Sequence, residues 1–269
     1  PGLDTYVDGT GWGASSWGDG TFGSSSAIGS NNQLRLWSLD SFGEDLIACP
    51  RGGSIYYWDY TNASTRAVAL ADLAGANLAP TLGLQVLVSD VDRHVIVLGA
   101  DPIDSPGTGR TGAIDPLLVA FSDQENAAEW QPLSTNTAGS LRCSAGSQII
   151  GGIRARQETL IWTDVALYSL QFIGAPLTFG LNLINEGVSL IGPNAPVNTP
   201  SGIFWMDKKG FYAYQGAVQP VPCSVHSYVF DDFNEDQAFQ VFGFVNKQFN
   251  EVGWFYCSGS STTIDRYVT

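Results

Sequence analysis

Two histidines, four cysteines and one dense run of acids are the groups in this 269-residue chain best suited to catalysis or metal binding. A serine-type nucleophile needs an imidazole base, and only His94 and His226 are available. His94 sits inside an apolar, strand-like run beside Arg93, and His226 precedes Tyr228-Val229-Phe230. No G-x-S-x-G elbow occurs. Both histidines therefore read as hydrogen-bonded structural imidazoles, and no catalytic residue is assigned. The run Asp231, Asp232, Asn234, Glu235, Asp236 invites a calcium reading. Counted from Asp232, it places oxygen ligands at the first, third and fifth positions of an EF-hand loop. Gln237 then stands where the turn needs glycine, and Gly243 where the bidentate glutamate belongs. The run is read instead as a helix start, with its acids at the end the helix dipole favours. The cysteines Cys49, Cys143, Cys223 and Cys257 lie far apart without C-x-x-C spacing. Buried thiols that pack as small hydrophobes are expected, and neither a metal nor a disulfide is assigned.

Two further stretches superficially match functional loops. Gly107-Thr108-Gly109-Arg110-Thr111-Gly112 has the glycines of a phosphate loop but lacks its Lys-Ser/Thr end and a following helix pattern. It reads as an exposed loop, and no cofactor is expected. Ser16 to Phe22 is similar to the Asp-box hairpin of sialidase propellers, but Ser16 stands three residues before Asp19 instead of two. A glycosidase would also need paired carboxylates at a cleft, and spacing does not pick such a pair out.

The informative pattern is a repeat. Phe121-Ser122-Asp123, Trp162-Thr163-Asp164 and Trp205-Met206-Asp207 all read aromatic–x–Asp at the end of an apolar run. Trp254 continues the series without the acid, and Trp58-Asp59 is a degenerate earlier copy. From Phe121 to Trp254, successive aromatics are roughly 40–50 residues apart, the period of four-stranded propeller blades. The aromatics Phe121, Trp162, Trp205 and Trp254 are expected between neighbouring sheets. The acids Asp123, Asp164 and Asp207 are expected to cap their turns by accepting backbone N–H bonds.

The elements around these residues are mostly strands. Leu34-Arg35-Leu36-Trp37 alternates; Asp45 to Cys49 runs into the hairpin signal Arg51-Gly52-Gly53, and Ser54 to Asp59 returns. Further strands are expected over Arg93–Leu98, Leu117–Phe121, Gln148–Ile153, Thr159–Trp162 and Tyr168–Phe172. In the last of these, Tyr168, Leu170 and Phe172 share one face. Helix is scarce: Thr65 to Ala74 predicts two turns, and Asn234 to Gln237 a helix start, both in connections between blades. Long loops are expected at Gly99–Asp115 and Gly192–Gly202. Residues 1–33, rich in Gly, Ser and Trp, read as an arm or ordered loop packing on something else. The fold class is therefore all-β, a propeller-like series of antiparallel blades over residues 34–269 with long inter-blade loops and little helix. The chain starts at Pro1 and stops in the strand-like Tyr267-Val268-Thr269, so a piece of a longer polypeptide is expected.

Composition narrows the function classes. Charged residues make up only 14% of the chain, with 31 glycines and 32 aromatics (8 Trp, 10 Tyr, 14 Phe), a mix that favours strands and turns. The net charge is −14 and the basic residues are scattered, so the basic stripe of a tight nucleic-acid binder is missing. No apolar run reaches roughly 18 residues, so no membrane-spanning helix is expected.

Several long phrases taken together resemble one family. They are Leu34 to Asp59, Val88 to Pro102, Arg156 to Gly174, Val229 to Gln237 and Asn250 to Val268. They are similar to the tail nozzle, or tail tubular protein B, of short-tailed bacteriophages. That resemblance implies a β-propeller platform, six copies of which form a ring at the distal end of the virion tail. It implies contact with the portal-adaptor protein and tail fibres, and genomic DNA held and then released through the ring without sequence-specific binding. It offers no catalytic residues. Low charge and many aromatics are compatible with subunit interfaces, and the acidic total with a channel wall that does not hold DNA. Two rivals remain from the residues alone. One is a carbohydrate- or receptor-binding propeller of a fibre or lectin, stacking sugars on exposed Trp12, Trp17 and Trp130. The other is a propeller glycoside hydrolase using turn acids such as Asp164 or Asp207.

Overall fold

A computed structural model describes residues 36–89, 92–105, 107–174 and 177–269. The expected arm at residues 1–33, with Trp12, Trp17 and the Ser16–Phe22 stretch, lies outside them. The described chain forms five antiparallel sheets laid down strictly in sequence order. The first holds β1 (Trp37–Phe42), β2 (Asp45–Pro50), β3 (Tyr56–Trp58) and β4 (Val68–Ala69). The second holds β5 (Gln85–Val88), β6 (Val95–Leu98), β7 (Leu118–Phe121) and β8 (Gly139–Arg142). The third holds β9 (Ile149–Arg154), β10 (Thr159–Thr163), β11 (Ala166–Phe172) and β12 (Phe179–Glu186). The fourth holds β13 (Val197–Thr199), β14 (Gly202–Asp207), β15 (Gly210–Tyr214) and β16 (Val218–Val221). The fifth has three strands, β17 (Phe242–Asn246), β18 (Glu251–Tyr256) and β19 (Arg266–Val268).

These sheets are the blades of a β-propeller. The first strand of each packs along the first strand of the next, in the order β1, β5, β9, β13, β17. Side chains stitch this inner wall together. Val86 and Val88 of β5 donate their N–H groups to Ser38 Oγ and Asp40 Oδ2 of β1, at 2.9 and 2.8 Å. The Gln85 amide pairs both ways with the Gly152 backbone of β9, at 2.8 Å in each direction. Asn198 of β13 donates to the Arg154 carbonyl of β9 at 2.6 Å.

The core is split among the seams between blades. Because side chains alternate, a strand covered on both faces reads as an unbroken apolar run. β6 shows the rule. Val95 and Val97 pack with Ile47, Cys49 and Ile55 of the first blade, while Ile96 and Leu98 pack with Ile149, Ile161 and Tyr168 of the third. The third, fourth and fifth blades meet around Trp162, Trp205, Phe211 and Trp254. Each fully buried side chain of this kind contributes roughly 1.5–3 kcal/mol through removal from water.

Some local expectations differ from the structure. Thr65 to Ala74 forms no two-turn helix. It gives the short strand β4 and one 3-10 turn at Leu70–Asp72, because buried Leu70 anchors the segment into the first seam. The loop expected at Gly192–Gly202 contains β13, whose pairing with β14 fixes it as the inner strand of the fourth blade. The stretch after His226 is the helix α1 (His226–Phe230), burying Val229. Asn234 caps a 3-10 helix over Glu235–Gln240, accepting the Asp236 N–H at 3.1 Å.

Candidate functional site

The aromatic–x–Asp residues occupy different places in their blades. Trp162, Trp205 and Trp254 lie in second strands, β10, β14 and β18, and Trp162 and Trp205 meet edge to face at 5.2 Å. Phe121 ends a third strand, β7, and packs on Phe179 at 4.8 Å. The three acids also differ. Asp164 accepts the N–H and O–H of Ser147 at 2.7 and 2.6 Å, reaching back to the loop before β9. Asp123 accepts the N–H and O–H of Thr137 at 2.8 and 2.6 Å, reaching forward to the approach to β8. Both therefore tie loops far apart in sequence instead of capping only their own turns. Burial alone would raise both acids, but the hydrogen bonds from Thr137 and Ser147 together outweigh it and hold both below the ordinary carboxylate value. Asp207 does cap locally, accepting the Lys208 N–H at 2.6 Å. It is buried, and burial raises its pKa. The same grip recurs where the sequence pattern does not reach. Asp101 holds Thr81 through N–H at 3.0 Å and O–H at 2.5 Å, and Asp265 holds Ser258 at 2.8 and 2.5 Å.

The other chemical candidates are engaged structurally. Gly107, Thr108 and Gly109 point their N–H groups at Asp104 Oδ1, at 3.1, 2.8 and 2.9 Å, so the phosphate-like nest holds the chain's own carboxylate. Those bonds, from Gly109 and Thr108 first, lower the Asp104 pKa. In the acidic run, Asp232 pairs with Arg266 at 2.7 Å. Among the described residues no three His, Cys, Asp or Glu groups converge for a metal. The cysteines are free. Cys49, Cys143 and Cys257 are buried, and burial pushes the first two up to about 12, while Cys223 is half-buried. Trp130 is not an exposed stacking platform. It is 1% exposed, its indole N–H donates to the Ala127 carbonyl at 2.8 Å, and it fills the seam between the first two blades. His226 is exposed beside the Lys209 carbonyl, at 2.9 Å from Nε2.

What remains open is the outer face of the first and fifth blades. On β1, Ser38 and Asp40 turn to the second blade, so Trp37 and Leu39 face away, 47% and 61% exposed. Their cross-strand neighbours on that face include Ala48 of β2 and, beyond it, Tyr56 of β3, whose ring lies 6.3 Å from that of Trp37. On β18, Trp254 and Tyr256 turn to the fourth blade. Phe255 therefore faces away, directly across from Phe242 and Tyr267, which are 51% and 67% exposed. Phe244 stacks on Phe255 at 4.6 Å. Every internal seam buries faces of this kind, and these two have no blade against them among the described residues. Sequence reading missed this surface because exposure of a blade face depends on its neighbour, although the Phe242-Gly243-Phe244 alternation opposite Phe255 carries the signal.

No protein-family model matches the chain, and no curated protein matches it. Among solved structures, it is similar to dihydro-heme d1 dehydrogenase NirN in complex with DHE, with a TM-score of 0.43 and 12% identity. That match covers 81% of this chain and 42% of that one. It is also similar to YCF48 from Cyanidioschyzon merolae, with a TM-score of 0.35 and 10% identity over 68% of this chain and 58% of that one.

Proposed function

We propose that this chain is a virion structural protein, a subunit of the nozzle ring at the distal end of a short phage tail. Its propeller serves as a platform between ring neighbours, with the portal-adaptor protein and tail fibres as further partners. Genomic DNA passes it without sequence-specific binding. The observation that carries the ring is the pair of open blade faces. They are unlike one another: Trp37, Leu39 and Tyr56 on one, Phe242, Phe255 and Tyr267 on the other. A contact that joins the first face of one copy to the second face of the next is head-to-tail, and head-to-tail contacts close into rings when the rotation allows. Aromatic faces of this kind are typical interface cores. The net charge of −14 supports passage of DNA without retention. The resemblance to the nozzle family supplies the tail location and the six copies. Negative-stain images and mass photometry of the purified chain test the reading. A closed ring of identical subunits is expected; a monomer at every concentration tried would reject it.

A further inference from the structure

The strand β12 is the outermost of the third blade, and its one charged residue is Glu186, at its end. On its inner side it pairs with β11, where Phe172, Leu170 and Tyr168 stand opposite Phe179, Leu181 and Leu183. In an antiparallel ladder, successive residues turn their N–H and C=O groups alternately toward the partner strand and away from it. The Ile173 N–H donates to the Thr178 carbonyl at 2.9 Å, which sets the alternation here. Gly180 and Asn182 therefore turn their backbone groups to β11, and Leu181 and Leu183 turn theirs outward. No described residue bonds these outward groups. The register shifts beyond Leu183, where Ile184 is an extra residue, so the regular part of the edge is Phe179 to Leu183.

The outermost strands of the other blades carry the usual defences against stray pairing. β4 has only two residues. β8 ends on Arg142, which pairs with Asp115 at 2.8 Å. β16 contains Pro220, which has no N–H to offer. β19 has three residues and carries Arg266, paired with Asp232 at 2.7 Å. Phe179 to Leu183 has neither proline nor charge. Leu183, with Ile173 and Leu177 of the hairpin before the strand, is also exposed. An edge left open on a chain that guards its other edges is a place for a partner strand.

We propose that an extended, basic segment of another protein adds to β12 as a fifth strand of the third blade. The outward N–H and C=O groups of Leu181 and Leu183 call for a peptide backbone, which offers acceptors and donors at the same spacing. Side chains directly opposite one another share a face of the sheet. The face of Leu181 and Leu183 is apolar and continues Leu170 and Tyr168, which pack in the seam with the second blade. The other face carries the exposed amide of Asn182. The segment therefore sets apolar residues opposite Leu181 and Leu183 and a polar one opposite Asn182. Charge selects the polar type. Glu186 closes the strand and the chain carries −14, so a basic segment is drawn to this edge. A second copy fits less well, because two chains of that charge repel across a contact only one strand wide.

Amide hydrogen exchange, read residue by residue by mass spectrometry with electron-transfer fragmentation, tests this directly. The probe is a synthetic peptide in which valine alternates with threonine and lysine. In the free protein the Leu181 and Leu183 amides are expected to exchange fast, and those of Gly180 and Asn182 slowly. Saturating peptide is expected to slow Leu181 and Leu183 by about tenfold or more. The same peptide with its valines N-methylated keeps the side chains but loses the donors that face β12, and is expected to give no protection. Leu181→Pro removes one outward N–H and no bond to β11, a place where an edge strand tolerates proline. It is expected to weaken peptide binding by about tenfold, the size of one lost hydrogen bond. Leu181 and Leu183 amides already protected without peptide would overturn the proposal, because the edge would then be covered by the chain itself or by a second copy. So would amides that the peptide leaves fast, equal protection by the N-methylated peptide, or unchanged affinity in Leu181→Pro. Should Leu181→Pro fail to fold, the two peptides on the unaltered protein still decide the matter. Exchange is read within each chain, so the outcome is independent of ring formation.

Discussion

Asp164 and Asp207 each stand two residues after a fully buried tryptophan, yet their surroundings push their acidities in opposite directions. Asp164 is held down by the N–H and O–H groups of Ser147, which prefer the charged carboxylate. Its stabilisation is therefore fully present above the unfolded carboxylate pKa and is lost as pH falls through its lower folded value. Asp164→Ala is expected to cost about 1–3 kcal/mol at neutral pH. It should also flatten the acid limb of a urea-midpoint against pH curve. Asp207 lies where burial favours the protonated acid. Its contribution is greatest below the unfolded pKa and is lost as pH rises through its raised folded value. Asp207→Asn keeps an oxygen for the Lys208 N–H and removes the buried charge, so neutral-pH stability is expected to hold or rise. A midpoint that falls as far as that of Asp164→Ala would contradict this account. Spacing placed both acids beside turns, but it could not tell which would be drawn under a seam and which would reach another loop.

The glycines of the inner strands set how closely blades approach. Gly243 of β17 is the sharpest case, since an added Cβ would lie 2.2 Å from Val197 Cγ2 and 2.7 Å from the Ala195 carbonyl oxygen. That carbonyl accepts the indole N–H of Trp254 at 2.8 Å, so backbone, indole and glycine share one tight point between the fourth and fifth blades. Gly243→Ala must push β17 off β13, and is expected to cost about 1–3 kcal/mol by chemical denaturation, the usual range for overpacking. No loss would mean that the two inner strands are not in contact. Strands were the most legible elements in the sequence because a strand buried on both faces leaves a solid apolar run, as at Val95–Leu98. Elements were misread where a single anchor outweighs local preference. Leu70 pulls an Ala-rich stretch into the first seam, and β13 is a three-residue strand inside what composition marks as loop.

At the scale of the whole molecule, the five blades of the described residues have four internal seams and two ends, and a ring joined head-to-tail would use the ends. The repeat period made the blades legible, but it is blind to the ends, since a face is open or closed according to what stands next to it. If ring neighbours join head-to-tail, each open face meets only its counterpart on another copy. Leu39→Glu then disables one face and Tyr267→Glu the other, and each substitution alone is expected to leave the fold intact, because both side chains are exposed. A charge buried in an apolar contact without a partner is strongly unfavourable. Each variant alone should therefore be monomeric. Mixed, they retain one sound face apiece, Phe242 and Phe255 on the Leu39→Glu copy and Trp37 on the Tyr267→Glu copy. The mixture is expected to stop at two-copy complexes, because every other face is blocked. Mass photometry distinguishes the outcomes directly. Two-copy complexes in the mixture alone require a heterologous joint between these faces. Rings formed by either variant alone would place the joint elsewhere on the propeller, and monomers throughout the mixture would show that the two faces do not recognise each other.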